Sequence, residues 1–212
     1  YVHGPSLDAA VRADGPLPAG EVRALAHGLA RALAAVHEAG LVHRDLKPSN
    51  VLLGSDHPRL IDFGISRAID GTQVTSTGVI VGTPAFMSPE QIAGEDVGPA
   101  SDVFSLGSVL AYAATGRSPF GDHPPLVLMM RISGHEPDLD GVPDALRGPV
   151  AACLAKRPQE RPTATELSGM LATVADDGPG RVPPLGGAAP TLVPTPTRVA
   201  TEVPPSGGAP QL

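Results

Sequence analysis

The most informative stretch of this sequence is VHRDLKPSNVLL, residues 42–53. The polar residues Asp45, Lys47 and Asn50 are among those that stand between two short apolar runs, Leu41 to Val42 and Val51 to Leu53. Short apolar runs bounded by turn-forming residues predict short β-strands with a polar loop between them. We therefore expect two strands here, joined by a loop that presents a carboxylate, an amine and an amide together.

A second acidic position follows closely. Leu60 and Ile61 predict a third short strand, and Gly54 to Asp56 predict the turn that separates it from the second. Asp62-Phe63-Gly64 comes directly after this third strand, twelve residues beyond Asn50. The sequence thus predicts a short β-hairpin with polar residues at both of its ends.

The remainder of residues 1–177 is mainly helical by pattern. Apolar residues recur every three or four positions over Glu21 to Ala39, and Gly40 then predicts a left-handed end of that helix. The same period runs from Val103 to Ala113 after Pro99 and stops at Gly116. Further helices are predicted over Pro124 to Ile132, Pro143 to Ala155 and Thr163 to about Val174, the last from a capping-box spacing.

Composition excludes several classes of protein. The net charge is −7, which is the wrong sign for nucleic-acid binding. No run of about 18 apolar residues is present, so no segment is expected to insert into a membrane. The single cysteine, Cys153, excludes an internal disulfide and a cysteine-based zinc site, which fits a reducing compartment such as the cytoplasm.

The end of the chain differs in composition from the rest. Residues 178–212 contain nine Pro and six Gly, with three Leu, four Val and no aromatic residue. Such a segment cannot bury enough apolar surface to offset its conformational entropy. We expect a domain over residues 1–177 and a disordered linker over 178–212, a spacer that is also compatible with a membrane anchor beyond residue 212.

Three motifs identify a family. His43 to Asn50 matches H-R-D-L-x-x-x-N, Asp62-Phe63-Gly64 matches D-F-G, and Ser88-Pro89-Glu90 stands where A-P-E follows, with Ser in place of Ala. In this order and spacing, the chain resembles a eukaryotic-like (Hanks-type) bacterial serine/threonine protein kinase. The resemblance implies the carboxy-terminal lobe of a kinase domain, mainly α-helical with a short β-hairpin at the catalytic loop.

The resemblance also implies the roles of four polar residues. Asp45 accepts the proton of the substrate hydroxyl, and Lys47 stabilises the transferring phosphate and favours Ser/Thr over Tyr substrates. Asn50 and Asp62 bind the Mg²⁺ (or Mn²⁺) that accompanies ATP, since Mg²⁺ prefers oxygen ligands and few protein groups. A purely structural role as turn formers is the alternative for such residues.

Other positions match the scaffold around a kinase active site. His43 and Phe63 match core positions of the hydrophobic spine. Asp102 matches an acid that holds the catalytic-loop backbone, and its place near a predicted helix start equally fits an N-cap. Glu90 and Arg161 match a buried ion pair that holds the end of the activation segment.

Fewer positions of this sequence match the parts of a kinase that contact the nucleotide and the substrate. Tyr1-Val2 resembles the hinge between kinase lobes, so that the backbone of Val2 would meet the adenine of ATP and Leu52 would form the floor of its pocket. Thr83, in Gly82-Thr83-Pro84, matches the threonine that bonds the catalytic Asp and Lys.

Regulation is implied by Arg44. An Arg beside the catalytic Asp can pair with a phosphate on the activation segment and order that segment. Thr75 and Thr77 resemble the paired threonines that bacterial kinases autophosphorylate, which would involve self-association of the kinase. The alternative is a polar loop without a regulatory role.

Motifs of the amino-terminal lobe do not occur in the 212 residues. There is no G-x-G-x-x-G, and the two lysines are Lys47 and Lys156. We therefore expect that the chain starts at the hinge of a kinase truncated at its amino end, and that this fragment alone is inactive. The alternative is a pseudokinase-like docking module that binds partners without catalysis. An aminoglycoside-type phosphotransferase is disfavoured, because it is not expected to carry Ser88-Pro89-Glu90 or Arg161.

Overall fold

The computed structural model of the protein describes residues 4–54, 57–62 and 84–172. In these ranges the chain forms seven α-helices and one two-stranded sheet, with single 3-10 turns at Pro48–Asn50, Pro84–Phe86 and Pro158–Glu160. The mainly α-helical fold that the sequence predicts is therefore confirmed for this part of the chain. The elements are α1 Leu7–Asp14, α2 Ala19–Glu38, β1 Val51–Leu53, β2 Pro58–Leu60, α3 Pro89–Ala93, α4 Pro99–Thr115, α5 Pro125–Gly134, α6 Asp144–Cys153 and α7 Ala164–Ala172.

Helix α2 ends where the sequence predicts, and its ending corrects one predicted strand. Gly40 has φ +73°, its N–H donates to the carbonyl of His37, and the N–H of Leu41 donates to the carbonyl of Val36. These two bonds form a Schellman motif, which terminates a helix with a left-handed residue. The predicted strand at Leu41 and Val42 is wrong: the N–H of Leu41 closes the helix, and no strand is present at these two residues.

The predicted hairpin forms, with a shift in its second strand. β1 and β2 are antiparallel, with Val51 opposite Leu60 and Leu53 opposite Pro58. Leu60 and Ile61, the third predicted strand, correspond to β2, the second strand of the hairpin. The predicted start is two residues too late, because pairing begins at Pro58. Ile61 lies beyond the last pair, and its N–H donates to the carbonyl of Asn50 at 3.0 Å. The hairpin thus ends at the polar loop. Ser55 and Asp56 of the predicted turn lie outside the described residues.

Helix α4 is the central helix of the fold. It starts at Pro99, whose missing N–H costs nothing at a first helical position, and it ends at Gly116 with φ +70°. Its N-cap is Gly98, so the interpretation of Asp102 as an N-cap is wrong. Asp102 lies one turn inside the helix, where its buried side chain faces the polar loop instead of the helix end.

The remaining helices agree with the sequence only in part. α5, α6 and α7 occupy the predicted regions with ends that differ by one or two residues, and Val174 lies outside the described residues. Two short helices, α1 and α3, have no counterpart among the helices that the apolar period predicts. α1 is signalled by Ser6, whose side chain accepts the N–H of Ala9 as an N-cap, and α3 by a capping box at Ser88.

The core is formed by the apolar faces of α2, α4, α6 and α7. α2 packs against both α4 and α7, and α4 also packs against α6. The hairpin covers the side of α2, so that the loop before β1 reaches the first turns of α4. None of the helices in the described ranges is long and apolar enough to cross a membrane. The predicted linker, residues 178–212, lies outside the described ranges.

Candidate functional site

The polar loop before β1 is fixed to α4 through Asp102. The backbone N–H groups of His43 and Arg44 each donate to the Asp102 carboxylate at 2.8 Å, one to each oxygen. Nε2 of His37, near the end of α2, lies 2.9 Å from Oδ2 of the same carboxylate. Since a carboxylate oxygen only accepts, Nε2 carries the proton in this contact. Asp102 is 1% exposed, so three donors satisfy a charge that would otherwise be costly to bury.

Arg44 adopts an unusual backbone conformation. Its φ is +65°, in the left-handed region, which costs a non-glycine residue roughly 1–2 kcal/mol. Hydrogen bonds hold both sides of the residue, because its N–H donates to Asp102 and its carbonyl accepts from Nε2 of Gln91 at 2.8 Å. Strain of this kind persists where surrounding contacts over-determine it, which is typical of functional sites.

The structure brings Asp45, Lys47 and Asn50 together. Nζ of Lys47 donates to Oδ2 of Asp45 at 2.8 Å. Nδ2 of Asn50 donates to the backbone carbonyl of Asp45 at 2.8 Å and lies 3.3 Å from Oδ2. The 3-10 turn at Pro48–Asn50 folds the chain back so that Asn50 can reach Asp45. The three side chains therefore form one cluster, in which Asp45 and Lys47 are partly exposed and Asn50 is buried.

A chain of hydrogen bonds links this cluster to the residue before Asp62. The carbonyl of Asn50 accepts the N–H of Ile61 at 3.0 Å, and the carbonyl of Ile61 lies 3.0 Å from Nε2 of His43. His43 is fully buried, which agrees with its expected place in the core. Asp62 follows at once, exposed and with φ +54°. Its backbone thus lies close to that of Asn50.

Glu90 and Arg161 form a buried bidentate pair. Nη1 of Arg161 donates to Oε1 at 2.7 Å and Nη2 donates to Oε2 at 2.9 Å, while the hydroxyl of Ser101 donates to Oε1 at 2.6 Å. Burial alone would raise the pKa of Glu90, but the hydrogen bonds from Arg161 and Ser101 outweigh it and hold the pKa below its ordinary value of 4.5. The pair ties the start of α3 to the segment before α7.

A groove of about 940 Å³ lies beside the polar cluster. Its walls are the loop from Arg44 to Ser49, the 3-10 turn at Pro84–Phe86, the end of α4 and the start of α5. The hydroxyl of Ser105 on α4 donates to the carbonyl of Phe86 at 2.7 Å, which fixes one wall against the central helix. Asp45 and Lys47 both line this groove.

The described residues contain no group of three or more His, Cys, Asp and Glu side chains arranged to bind a metal ion. The sequence predicts a smaller set of metal ligands, the amide of Asn50 and the carboxylate of Asp62. Because Nδ2 of Asn50 donates to Asp45, its Oδ1 is the atom suited to a cation. One amide oxygen and one exposed carboxylate fit a hard divalent ion that keeps several waters.

The predicted residues on the nucleotide and activation-segment sides are mostly outside the described ranges. Leu52 lies in β1, half-buried, and its backbone forms an isolated bridge with Ser6. The remaining predicted residues lie outside the described ranges: Val2, Phe63, Thr75, Thr77 and Thr83.

Sequence reasoning missed two residues that contact the loop, His37 and Gln91. The Ser-x-x-Gln capping box marks the start of α3, and His37 follows the last apolar position of the α2 stripe, but neither pattern indicates a contact with the loop.

Comparison with known proteins gives a consistent result. A family model described as protein kinase domain matches residues 1–170. The probable serine/threonine-protein kinase PkwA of Thermomonospora curvata is 49% identical over 98% of this chain and 29% of its own length. The serine/threonine-protein kinase AfsK of Streptomyces coelicolor is 50% identical, covering 81% of this chain and 22% of its own length. PknA of Mycobacterium tuberculosis is 37% identical, covering 92% of this chain and 47% of the relative. The chain spans less than half the length of these curated relatives.

Proposed function

Because this chain belongs to the protein kinase family, we propose that the natural protein containing these residues transfers the γ-phosphate of ATP to Ser and Thr hydroxyls of protein substrates. The observation that carries the proposal is the cluster of Asp45, Lys47 and Asn50 beside a groove large enough for a peptide. The similarity to kinases named as serine/threonine-specific supports the same substrate class.

Asp45 and Lys47 act on the two partners of the transfer. Asp45 accepts the proton of the substrate hydroxyl while the hydroxyl oxygen bonds to the γ-phosphorus and the bond to ADP breaks. Lys47, whose Nζ lies 2.8 Å from Oδ2 of Asp45, supplies positive charge next to the position where the phosphate passes. Lys47 at this position favours Ser and Thr as acceptors.

Asn50 and Asp62 are the residues that would bind Mg²⁺ or Mn²⁺. The bound ion neutralises charge on the phosphates of ATP. Asn50 is buried, and its bond to the Asp45 carbonyl fixes the orientation of its side chain. Asp62 is exposed and follows Ile61, whose N–H donates to the Asn50 carbonyl. On the adenine side, we assign the backbone of Val2 and the side chain of Leu52 to the nucleotide pocket.

The other predicted residues position this machinery. Asp102 holds the backbone of His43 and Arg44, and the pair of Glu90 and Arg161 holds the end of the activation segment against α4 and the segment before α7. We assign to Thr83, from the resemblance alone, the contact with Asp45 and Lys47. These residues act through other groups, so their loss would lower activity without removing a reacting atom.

Arg44 is assigned to regulation. Its side chain lines the groove beside Asp45, where a phosphate on Thr75 or Thr77 could pair with it and order the activation segment. Autophosphorylation by a second copy of the kinase would supply that phosphate. Mass spectrometry of the active natural protein after incubation with ATP is expected to show phosphate on both threonines, and an active enzyme with neither threonine modified would contradict the assignment.

We assign residues 1–177 to the catalytic domain, residues 178–212 to a linker, and the reaction to the cytoplasm, where ATP is abundant and the lone Cys153 stays reduced. The 212 residues contain neither a glycine-rich phosphate loop nor a strand lysine of the V-A-I-K type. We expect these residues by themselves to show no useful phosphate transfer.

The test is incubation of the purified natural protein with γ-labelled ATP, Mg²⁺ and a generic protein substrate. We expect label in phosphoserine and phosphothreonine, its loss when EDTA removes the Mg²⁺, and a large loss in Asn50→Ala. The 212-residue chain is assayed in parallel. A natural protein that binds ATP or partners but never transfers label would contradict catalysis and favour the docking module.

A further inference from the structure

Both sides of the Arg44 backbone are held by side chains from elsewhere in the fold. Asp102 of α4 accepts the Arg44 N–H at 2.8 Å, and Gln91 of α3 donates its amide N–H to the Arg44 carbonyl at 2.8 Å. The first contact agrees with the role expected of Asp102, but the second does not follow from any motif. Gln91 is 47 positions from Arg44 in the sequence.

The bond from Gln91 reaches the residue that precedes the catalytic carboxylate. The carbonyl of Arg44 and the N–H of Asp45 belong to one planar peptide group. A donor fixed on that carbonyl therefore fixes the plane from which Asp45 projects. Arg44 has φ +65°, an unfavourable conformation for a non-glycine residue, so this plane would relax if its contacts were removed.

The chemistry of the Gln91 side chain shows that its bond to the Arg44 carbonyl is separate from helix capping. Its Oε1 accepts the backbone N–H of Ser88 at 2.9 Å, which completes the capping box of α3. A capping box needs only an acceptor at this position, and a Glu supplies it equally well. In α7, Glu166 does so, accepting the N–H of Thr163 at 2.8 Å. Gln differs from Glu in having a donor, and that donor is the group bonded to Arg44.

The base of the Gln91 side chain is itself well fixed. The preceding residue, Glu90, is buried and paired with Arg161 and Ser101. Ser88 is also buried, and its hydroxyl accepts the N–H of Gln91 at 3.4 Å. A displacement at the end of the activation segment would therefore be passed to the Arg44 carbonyl through a short side chain with both polar ends bonded.

We propose that Gln91 is a positioning residue for phosphoryl transfer, whose side-chain amide holds the peptide plane between Arg44 and Asp45. The proposal rests on the proposed kinase function. Gln91 also lines the groove beside the polar cluster, but in this role it acts on Asp45 through the Arg44 carbonyl and not on the reacting groups. Because a catalytic group displaced by about 1 Å can cost roughly a hundredfold in rate, the effect belongs in kcat.

Two reciprocal substitutions in the natural protein separate the two functions of the amide. Gln91→Glu keeps an acceptor for the Ser88 N–H and loses the donor to Arg44. Gln91→Lys keeps a donor for the Arg44 carbonyl and loses the acceptor for Ser88. Glu166→Gln is the matched control, because it makes the reverse exchange in the capping box of α7, at Thr163 and away from the polar loop.

The measurements are kcat and KM for ATP and for a protein substrate, together with the thermal midpoint of each variant. We expect Gln91→Glu to keep a thermal midpoint near that of the wild type and to lose about tenfold or more in kcat, with KM for ATP unchanged. Gln91→Lys is expected to retain more of kcat than Gln91→Glu despite a lower thermal midpoint. Glu166→Gln should leave kcat unchanged.

A purely structural role predicts the opposite order, with Gln91→Lys worse than Gln91→Glu in both stability and activity. That order, or wild-type kcat in Gln91→Glu, would overturn the proposal. Because the wild type is measured in the same assay, failure of the kinase function would appear as an inactive wild type, whereas failure of the Gln91 role would appear as equal kcat values.

Discussion

Arg161 and Glu90, 71 positions apart in the sequence, meet in a parallel two-bond contact in which the side chains are 0% and 3% exposed. Arg161 also donates to the backbone carbonyls of Ala100, Ala155 and Lys156, and its guanidinium lies 4.9 Å from the ring centre of Phe104. The planar fork of Arg is suited to this set of acceptors in a way that an amine is not. One side chain thus joins the starts of α3 and α4 to the segment after α6.

Replacement of Arg161 by Ala is expected to destabilise the protein strongly. The change leaves the Glu90 carboxylate buried without its charge partner, which costs about 3–5 kcal/mol in the free energy of unfolding. Urea unfolding measures the loss. Arg157→Ala is the matched control, since Arg157 pairs with Glu160 at the surface, where such pairs contribute about 1 kcal/mol or less. Similar losses in the two variants would contradict the account.

Lys156 is expected to titrate well below an ordinary lysine. Burial lowers the pKa of its amine from 10.5 to about 8, an effect that the nearby Glu136 opposes and Arg161 reinforces. Nζ donates to the carbonyl of Ile132 at 2.8 Å and lies 4.3 Å from the ring centre of Phe120. NMR of lysine-labelled protein can follow it, because the 212 residues contain one other lysine, Lys47. A midpoint for Lys156 near 10.5 would contradict the prediction.

The lowered pKa of Lys156 also fixes the sign of a stability change. Between pH 8 and 10.5 the unfolded chain holds a proton on Lys156 that the folded chain has released, so the free energy of unfolding rises with pH in that window. Below pH 8 both states are protonated and the cost of burying the charge is fully present. The difference in unfolding free energy between wild type and Lys156→Met should therefore increase in favour of the wild type from pH 8 to 10.5.

Gly107 should tolerate no side chain. A Cβ at this position in α4 would lie 2.7 Å from Cβ of Cys153 and 3.1 Å from Cγ of Leu154, both buried. Gly107→Ala is expected to lower the free energy of unfolding by about 1–3 kcal/mol through overpacking. Gly169→Ala in α7, where a Cβ would meet nothing within 4 Å, is expected to raise it by about 0.5–1 kcal/mol. Stabilisation by both changes would show that α4 and α6 are less closely packed than described.

The helices could be predicted from sequence where local signals agree. α2 has a long apolar period and a glycine that forms a Schellman motif, and α4 lies between Pro99 and Gly116. α1 has only eight residues, too few for its period to stand out. Leu41 and Val42 predict a strand that does not form. Two apolar residues after a glycine carry no information on which segment they would pair with. Local patterns specify helix ends well and pairing poorly.

The pattern of apolar runs predicts a loop that carries Asp45, Lys47 and Asn50, but the roles of these residues could be predicted only through the family motifs. The approach of Asn50 to Asp45 is local and follows from the 3-10 turn that ends at Asn50. The contact of Asp102 with His43 spans 59 positions and that of Gln91 with Arg44 spans 47. Such contacts depend on how α3 and α4 pack against the loop, and no periodicity in the sequence encodes them. For this reason the sequence alone does not identify Gln91 as a contact of the loop.

We propose that Asp45 accepts the proton during phosphate transfer, and the kcat of Asp45→Asn in the natural protein measures the contribution of this carboxylate. The substitution is nearly isosteric, so folding and KM for ATP are expected to be retained while kcat falls about 10²- to 10⁴-fold. Asp144→Asn makes the same chemical change at an exposed position that does not line the groove and should leave kcat unchanged. A folded Asp45→Asn protein that transfers phosphate at the wild-type rate would contradict the account.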